Sequence, residues 1–216
     1  MTLATEVSTS HVAPVPARDS TDDANANANA KAQRIPVLKT ARLVLRAPVR
    51  SDVPAIVALA GDRRVAENTA RIPHPYSAAD GLAAIAAINQ TGGETVFAIE
   101  LDGELIGLCG LDPRPDGGEL GYWLGVPFWG RGYATEAAHA VIDYAFVELG
   151  HDVLQSGARV SNPASRRVLE KCGFQWTGVG LYRIRAINSS APIDRFRLER
   201  RIWSALKGWG DMRKVS

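Results

Sequence analysis

Residues 119–137 read ELGYWLGVPFWGRGYATEA: a strand-like run, a short connection holding Pro127, two glycines flanking Arg131, and the start of a helix. Glycines at 130 and 132 let the backbone approach a ligand closely. Successive N–H groups just ahead of a helix form a concavity with the positive end of the helix dipole behind it, which suits an anion. A glycine turn leading into a helix accounts for the same spacing without any ligand. The dinucleotide fingerprint G-x-G-x-x-G does not fit, because Thr135 stands where its last glycine belongs, and no Gly-Lys-Ser/Thr follows to make a P-loop.

Downstream, Ala134, Ala137, Val141, Ala145 and Leu149 recur at helical spacing until Gly150, a fitting C-terminal glycine. A short strand is expected over 153–160. Asn162-Pro163 then opens a helix, strand returns from Phe174, and RFRLER (195–200) alternates as the last strand. Upstream, TVFAIEL (95–101) and ELIGLCGL (104–111) flank Asp102-Gly103, a hairpin signal. Before them come a helix over roughly 78–89 with Leu82, Ile85 and Ile88 on one side, the loop RIPHPY, and a helix VPAIVALA that Ser51 or Asp52 can cap. Farther upstream, Ala41, Leu43 and Leu45 alternate with Arg42, Val44 and Arg46 as a first strand. The order is strand, two helices, three strands, helix, strand, helix, two strands. This is an α/β chain with a mixed (α+β) sheet and helices on both faces.

With 216 residues, 46% of them hydrophobic, one sizeable core is expected. Residues 1–33, rich in Ala, Asn, Thr and Asp, bury too little to offset their ordering entropy and read as a disordered tail. The folded domain is expected over 34–205, with a C-terminal tail over 206–216. A net charge of +2 with interspersed signs excludes a nucleic-acid footprint. Cys109 and Cys172, each inside an apolar stretch, fit buried thiols rather than a metal site or a disulfide. No apolar run approaches the ~18 residues needed to span a bilayer, so no membrane partner and a cytoplasmic location are expected.

The blocks GELGYWLGVPFWGRGYATEAAHAVIDYAF and NPASRRVLEKCGF closely resemble the GNAT superfamily of N-acetyltransferases, in particular the branch holding the ribosomal-protein-alanine N-acetyltransferases; the resemblance covers roughly residues 38–202. It implies a mixed, mostly antiparallel central sheet and acetyl-CoA as co-substrate, with no metal. Gly132 and Ala134 match the last two defined positions of the family's pyrophosphate motif, and Trp129 stands where the wider family has glutamine or arginine. By the same resemblance, the backbone of Leu124, Gly125 and Val126 holds the pantetheine arm between two splayed strands. The N–H groups of Gly130, Arg131, Gly132, Tyr133, Ala134 and Thr135 hold the pyrophosphate. Asn162 is implied to reach the cofactor arm, although a helix N-cap explains it as well, and Ser165 to act as general acid, although a first-turn serine explains it too.

Glu119, on the strand leading to the glycine loop and on one face with Gly121 and Trp123, is the candidate base, directly or through water; a surface glutamate at a strand start is the competing reading. The segment LYRIRAI, where some branch members carry the base, has no carboxylate. Tyr182 is a weaker candidate acid. His74 and Tyr76, in the loop that borders the acceptor site of such a fold, are candidate substrate contacts. The implied acceptor is an amine, a protein N-terminus or a small molecule, and a homodimer is compatible with the family. An acetyl-CoA-binding sensor with little turnover is the alternative activity.

Overall fold

The computed structural model describes residues 35–88 and 94–212, with side chains to residue 208 at the C-terminal end. The tail expected over 1–33, and the last residue of the helix expected over 78–89, lie outside the described residues. Eight strands form one sheet in the order β1-β2-β3-β4-β5-β6-β8-β7. They are β1 (Leu38–Lys39), β2 (Leu43–Arg46), β3 (Thr95–Leu101), β4 (Glu104–Arg114), β5 (Gly117–Leu124), β6 (Val153–Arg159), β7 (Gln175–Ile184) and β8 (Ser189–Glu199). Every neighbouring pair is antiparallel except β5 and β6, which run parallel. The helices are α1 (Val53–Ala60), α2 (Arg63–Ala66), α3 (Ala78–Ile88), α4 (Tyr133–Val147), α5 (Pro163–Lys171) and α6 (Arg200–Met212).

Alternation along the central strands divides two apolar layers. On β3, Phe97 and Ile99 face the main core with Leu43, Leu45, Val141, Phe146, Leu169 and Phe196, which lies under α4 and α5. Ala98 faces the other way and joins Val53, Ile56, Ile85 and Leu105 under α1 and α3. The β3–β4 turn takes Asp102 and Gly103 at φ 51° and 84°, the paired left-handed conformation that the Asp-Gly signal foretold.

The structure departs from the expected order in four places. β1 and α2 are additional elements, too short to show periodicity. Leu82, expected on the buried side of α3 with Ile85 and Ile88, is exposed. The final strand ends at Glu199 and the chain continues as α6, across the boundary expected at 205. α6 docks on α4: the Trp203 ring packs on Phe146, and its Nε1 donates to Asp143 at 2.8 Å.

Asp52 is the N-cap residue of α1, but its carboxylate caps nothing there. It accepts from both Nη atoms of Arg46 at 2.8 Å and from the Val49 N–H at 2.7 Å, and Arg46 also pairs with Glu100 at 2.8 Å. Burial alone would raise the Asp52 carboxyl, yet the bonds from Arg46 and Val49 outweigh it and hold the group below the usual range. A depressed native pKa stabilises the fold above the unfolded value of about 4 and loses that effect as pH falls through the native value. Asp52→Ala is therefore expected to cost about 3 kcal/mol in urea unfolding at pH 7, by leaving Arg46 short of a partner. The gap between variant and wild type should narrow once the pH drops below about 4.

Candidate functional site

β5 and β6 pair over only three rungs, Gly118 with Leu154, Glu119 with Gln155 and Leu120 with Ser156. The Ser156 hydroxyl donates to the Leu120 carbonyl at 2.8 Å and ends the ladder. Beyond it the strands part: β5 runs on to Leu124 against β4, and β6 runs on to Arg159 against β8. The gap opens a cleft of about 380 Å³, lined by Tyr122 to Leu124, Phe128 to Gly130, Gly132 to Thr135, the lip residues Val65, Asn68 and Thr69, and the α5 residues Asn162, Ser165 and Lys171 among others. A wider depression of about 880 Å³ along the outer side of α4 is more open and shares only Gly132, Thr135 and Lys171 with it. The cleft, with backbone on both walls, is the better ligand site.

The strand expectation for Leu124, Gly125 and Val126 needs refinement. The Gly125 N–H donates to Ile106 and its carbonyl accepts from Phe128, while the Val126 carbonyl accepts from the Trp129 N–H. Antiparallel alternation from that Gly125 bond turns the peptide groups of Tyr122 and Leu124 away from β4, toward the parting. The Leu124 carbonyl accepts from Trp129 Nε1 at 2.7 Å, so the indole closes back over the strand end.

The glycine loop has the geometry of an anion cradle. Gly130 and Gly132 sit at φ 75° and 81°, and Gly132 is the N-cap of α4, with no side chain to cap the first N–H groups of Tyr133, Ala134 and Thr135. No atom lies within 4 Å of where a Cβ on Gly130 would stand. Arg131 is exposed, and its carbonyl accepts from Arg42 Nη1 at 3.0 Å. Arg42 also lies over the Tyr133 ring at 4.5 Å and bonds Glu136 through Nε at 2.7 Å; Thr40 Oγ1 donates to the same carboxylate at 2.6 Å. These bonds tie the β1–β2 turn to the first turn of α4 and fix the loop. Among the described residues the cleft lining includes Arg167 and Lys171 and no carboxylate.

Asn162 caps α5, its Oδ1 accepting the Ser165 N–H at 3.1 Å, and it lines the cleft at the same time. The Ser165 hydroxyl lies 2.9 Å from the Tyr122 hydroxyl, which also donates to the Ser165 carbonyl at 3.0 Å. Burial pushes the Tyr122 phenol up, against the lowering effect of the Ser165 bond, so it remains a donor. No local pattern marks Tyr122 in the sequence: strand parity sets it on the face of β5 opposite Glu119, Gly121 and Trp123, and its partner lies far along the chain.

Glu119 is held elsewhere. Arg114 Nε donates to it at 2.8 Å, Arg114 also pairs with Asp112, and Glu119 is absent from the cleft lining. His74 is exposed and Tyr76 packs half-buried against the α1–α3 layer, so neither lines the cleft. The lip is formed instead by the turn after α2, anchored by Arg159 Nη1 on the Glu67 carbonyl at 2.6 Å and by the Arg185 N–H on the Ala70 carbonyl at 3.1 Å. Tyr182 lies exposed on β7. Cys109 and Cys172 are free and buried, and burial pushes the Cys172 thiol up to about 12.

Residues 42–175 match the family described as the acetyltransferase (GNAT) domain. Curated relatives include p20 of Bacillus licheniformis, named an uncharacterized N-acetyltransferase, 31% identical over 150 residues that span 66% of this chain and 84% of that protein. YoaA of Bacillus subtilis, also named an N-acetyltransferase, is 32% identical over 154 residues, 67% of this chain and 85% of its own. Among solved structures, Mycobacterium smegmatis RimJ in complex with CoA-disulfide superimposes with a TM-score of 0.69 at 19% identity, covering 78% of this chain and 89% of that one. Spermidine N-acetyltransferase from Vibrio cholerae, in complex with CoA and spermine, gives 0.66 at 22% identity, covering 76% and 99%.

The two duties of Asn162 are separable. Asn162→Ala should cost about 1 kcal/mol in thermal or urea unfolding through loss of the cap. Asn162→Asp should keep that stability, yet weaken the binding of an anionic ligand in the cleft, measured by calorimetry.

Proposed function

This chain belongs to the acetyltransferase (GNAT) family, and on that premise we propose that it is an N-acetyltransferase moving the acetyl group of acetyl-CoA to a primary amine by direct transfer in a ternary complex. The observation that carries the reading is one cleft joining an uncapped helix N-terminus behind two left-handed glycines to the parting of two parallel strands. An anionic, peptide-like cofactor needs both: N–H groups and a helix dipole for its phosphates, and strand-edge peptide groups for its amide-bearing arm. The empty space above Gly130 and the basic residues Arg167 and Lys171 fit that group.

Acetyl-CoA supplies an electrophilic thioester and a thiol leaving group. Gly130 to Thr135 hold its phosphates, Tyr122 and Leu124 offer strand-edge groups to its arm, and Asn162 lines the far wall while capping α5. Ser165 donates from its hydroxyl to the leaving sulfur, and Tyr122 orients that hydroxyl. An α-amino group with a pKa of ~8 and a thiol of ~8.5 make modest proton-transfer help sufficient near neutral pH. Glu119 serves as base through a water, since Arg114 holds it outside the cleft lining. His74 and Tyr76 belong to the wider acceptor approach rather than to the cleft wall.

The acceptor is a protein N-terminus or a small amine. One similar structure is a spermidine N-acetyltransferase and another is named RimJ, so relatives of this fold act on different amines. The catalytic unit is assigned to residues 34–205. Among the described residues no helix is long and apolar enough to cross a membrane, and the family placement favours the cytoplasm. A second reading, a sensor that holds acetyl-CoA with little turnover, is favoured by a cleft lining that, among the described residues, holds no carboxylate.

Calorimetric titration with acetyl-CoA and with desulfo-CoA should give micromolar binding, abolished by Gly132→Trp, which puts a bulky side chain at a left-handed glycine of the loop. A folded wild type that binds neither ligand sinks the acetyltransferase reading. Binding without amine-stimulated thiol release across an amine panel would favour the sensor instead. If turnover is found, Ser165→Ala should lower kcat by about a hundredfold, with little change in acetyl-CoA affinity.

A further inference from the structure

The sheet face opposite Tyr122 and Ser165 is open beyond Trp123. The α1–α3 layer covers β3 and β4 there and reaches Trp123 at its margin. Farther along the sheet Gly121 and Gly157 are exposed, and no atom lies within 4 Å of where a Cβ on Gly121 would stand. Strand alternation puts Glu119 and Gly121 of β5, Gly157 and Arg159 of β6 and Arg195 of β8 on this one face, since Glu119 pairs with Gln155 and Gly157 with Arg195. The turn after α2 and the turn after β7 close one end, joined by the Arg185 N–H on the Ala70 carbonyl. A bare floor therefore leads to the strand parting from the side away from α5.

The charge on this floor is one-sided. Among the described residues most arginines have a carboxylate within ion-pair distance. Arg159, Arg185 and Arg195 have none. Each guanidinium donates only to a backbone carbonyl: Arg159 Nη1 to Glu67 at 2.6 Å, Arg185 Nη1 to Arg71 at 3.3 Å and Arg195 Nη2 to Val179 at 3.3 Å. Arg159 Nε is buried and without a partner, so the Nε–Nη2 edge, the fork that a carboxylate takes, is unused. A buried N–H left without an acceptor is costly. Asp112 and Glu119 share the face, but Arg114 holds both.

We propose that the acceptor amine is the N-terminus of an acidic peptide segment, laid along this face with its amine at the strand parting and its carboxylates on Arg159, Arg185 and Arg195. This rests on the acetyltransferase reading and names its acceptor. Arg159 and Arg185 grip the lip, while Arg195 reaches away to β7, so the anchors lie more than one strand spacing of about 4.8 Å apart. An extended chain with several carboxylates spans them, and a single small carboxylate does not. The bare glycine floor gives its main chain room. A polyamine meets the reverse pattern: three guanidiniums without acids, and acids already held by arginine. Glu119, the proposed base, stands on the same face.

The test compares acceptors that differ in charge. With saturating acetyl-CoA, thiol release is followed for a short peptide with a free α-amine and aspartates at its second and third positions, for the same peptide with lysines there, and for spermidine. The acidic peptide should give a kcat/KM about tenfold above the other two, since each exchanged charge turns an attraction into a repulsion. Added salt should narrow the gap. Arg185→Glu and Arg195→Glu, both at exposed positions, should each shrink it through KM rather than kcat, with acetyl-CoA affinity unchanged. Should Arg185→Glu loosen the lip, Arg195→Glu carries the test, because its side chain holds no turn. A wild type that acetylates the lysine peptide or spermidine as well as the acidic peptide overturns the proposal, as does a preference that neither substitution reduces. If no acceptor releases thiol, the acetyltransferase reading fails separately, and fluorescence anisotropy with the labelled peptides decides the surface. Acidic-peptide binding that exceeds that of the lysine twin and is lost in Arg195→Glu upholds an acidic chain on this face; equal or absent binding overturns it.

Discussion

The parting of β5 from β6 after Leu120 is the constraint on which the rest of the site depends. Two parallel strands that separate leave peptide groups without their ladder, and buried peptide groups must find other partners. Side chains provide them here: Ser156 on the Leu120 carbonyl, Trp129 on the Leu124 carbonyl, and Tyr122 across the gap to Ser165. The opening is therefore stitched at its apex, at one end and across its width. It is a built cleft with a set span, and the residues holding it open are also those that line it.

The second requirement is a helix start that no side chain satisfies. Glycine at the N-cap of α4 gives the left-handed turn and contributes no capping oxygen, so the first N–H groups face the cleft. Such a loop would be mobile if unsupported. Glu136, gripped by Thr40, the Arg42 backbone and the Arg42 guanidinium, ties it to the first strands. Those bonds hold the Glu136 carboxyl below the ordinary range in spite of its burial. The carboxylate is engaged in support and does not line the cleft.

The two halves of the sheet are finished differently. The β1–β5 half is covered on both faces, by α4 on one side and by α1 and α3 on the other. The β8–β7 end is covered only in part, and its last strand shows apolar side chains on one face and glycines on the other.

The hairpin at Asp102-Gly103, the long helix after Gly132, the helix opened by Asn162-Pro163 and the glycine loop were all legible in the sequence, because each rests on local rules: turn dihedrals, capping and periodicity within one segment. The family pattern in 119–137 and 162–174 was legible for the same reason. What local rules cannot reach is the partner across a long sequence separation. Glu119 reads as a candidate base from its strand position, and the fold adds the Arg114 guanidinium at its carboxylate. Asp52 read as a helix cap, and only the fold brings Arg46 to its carboxylate. Tyr122 gains its polar partner only where the fold brings α5 within hydrogen-bonding distance, 43 residues further along the chain. The chain's local chemistry determined most of its elements and the left-handed glycine turn ahead of α4. Tertiary packing decided which polar side chains face the cleft, because that depends on where two strands part and which side chains cross the gap.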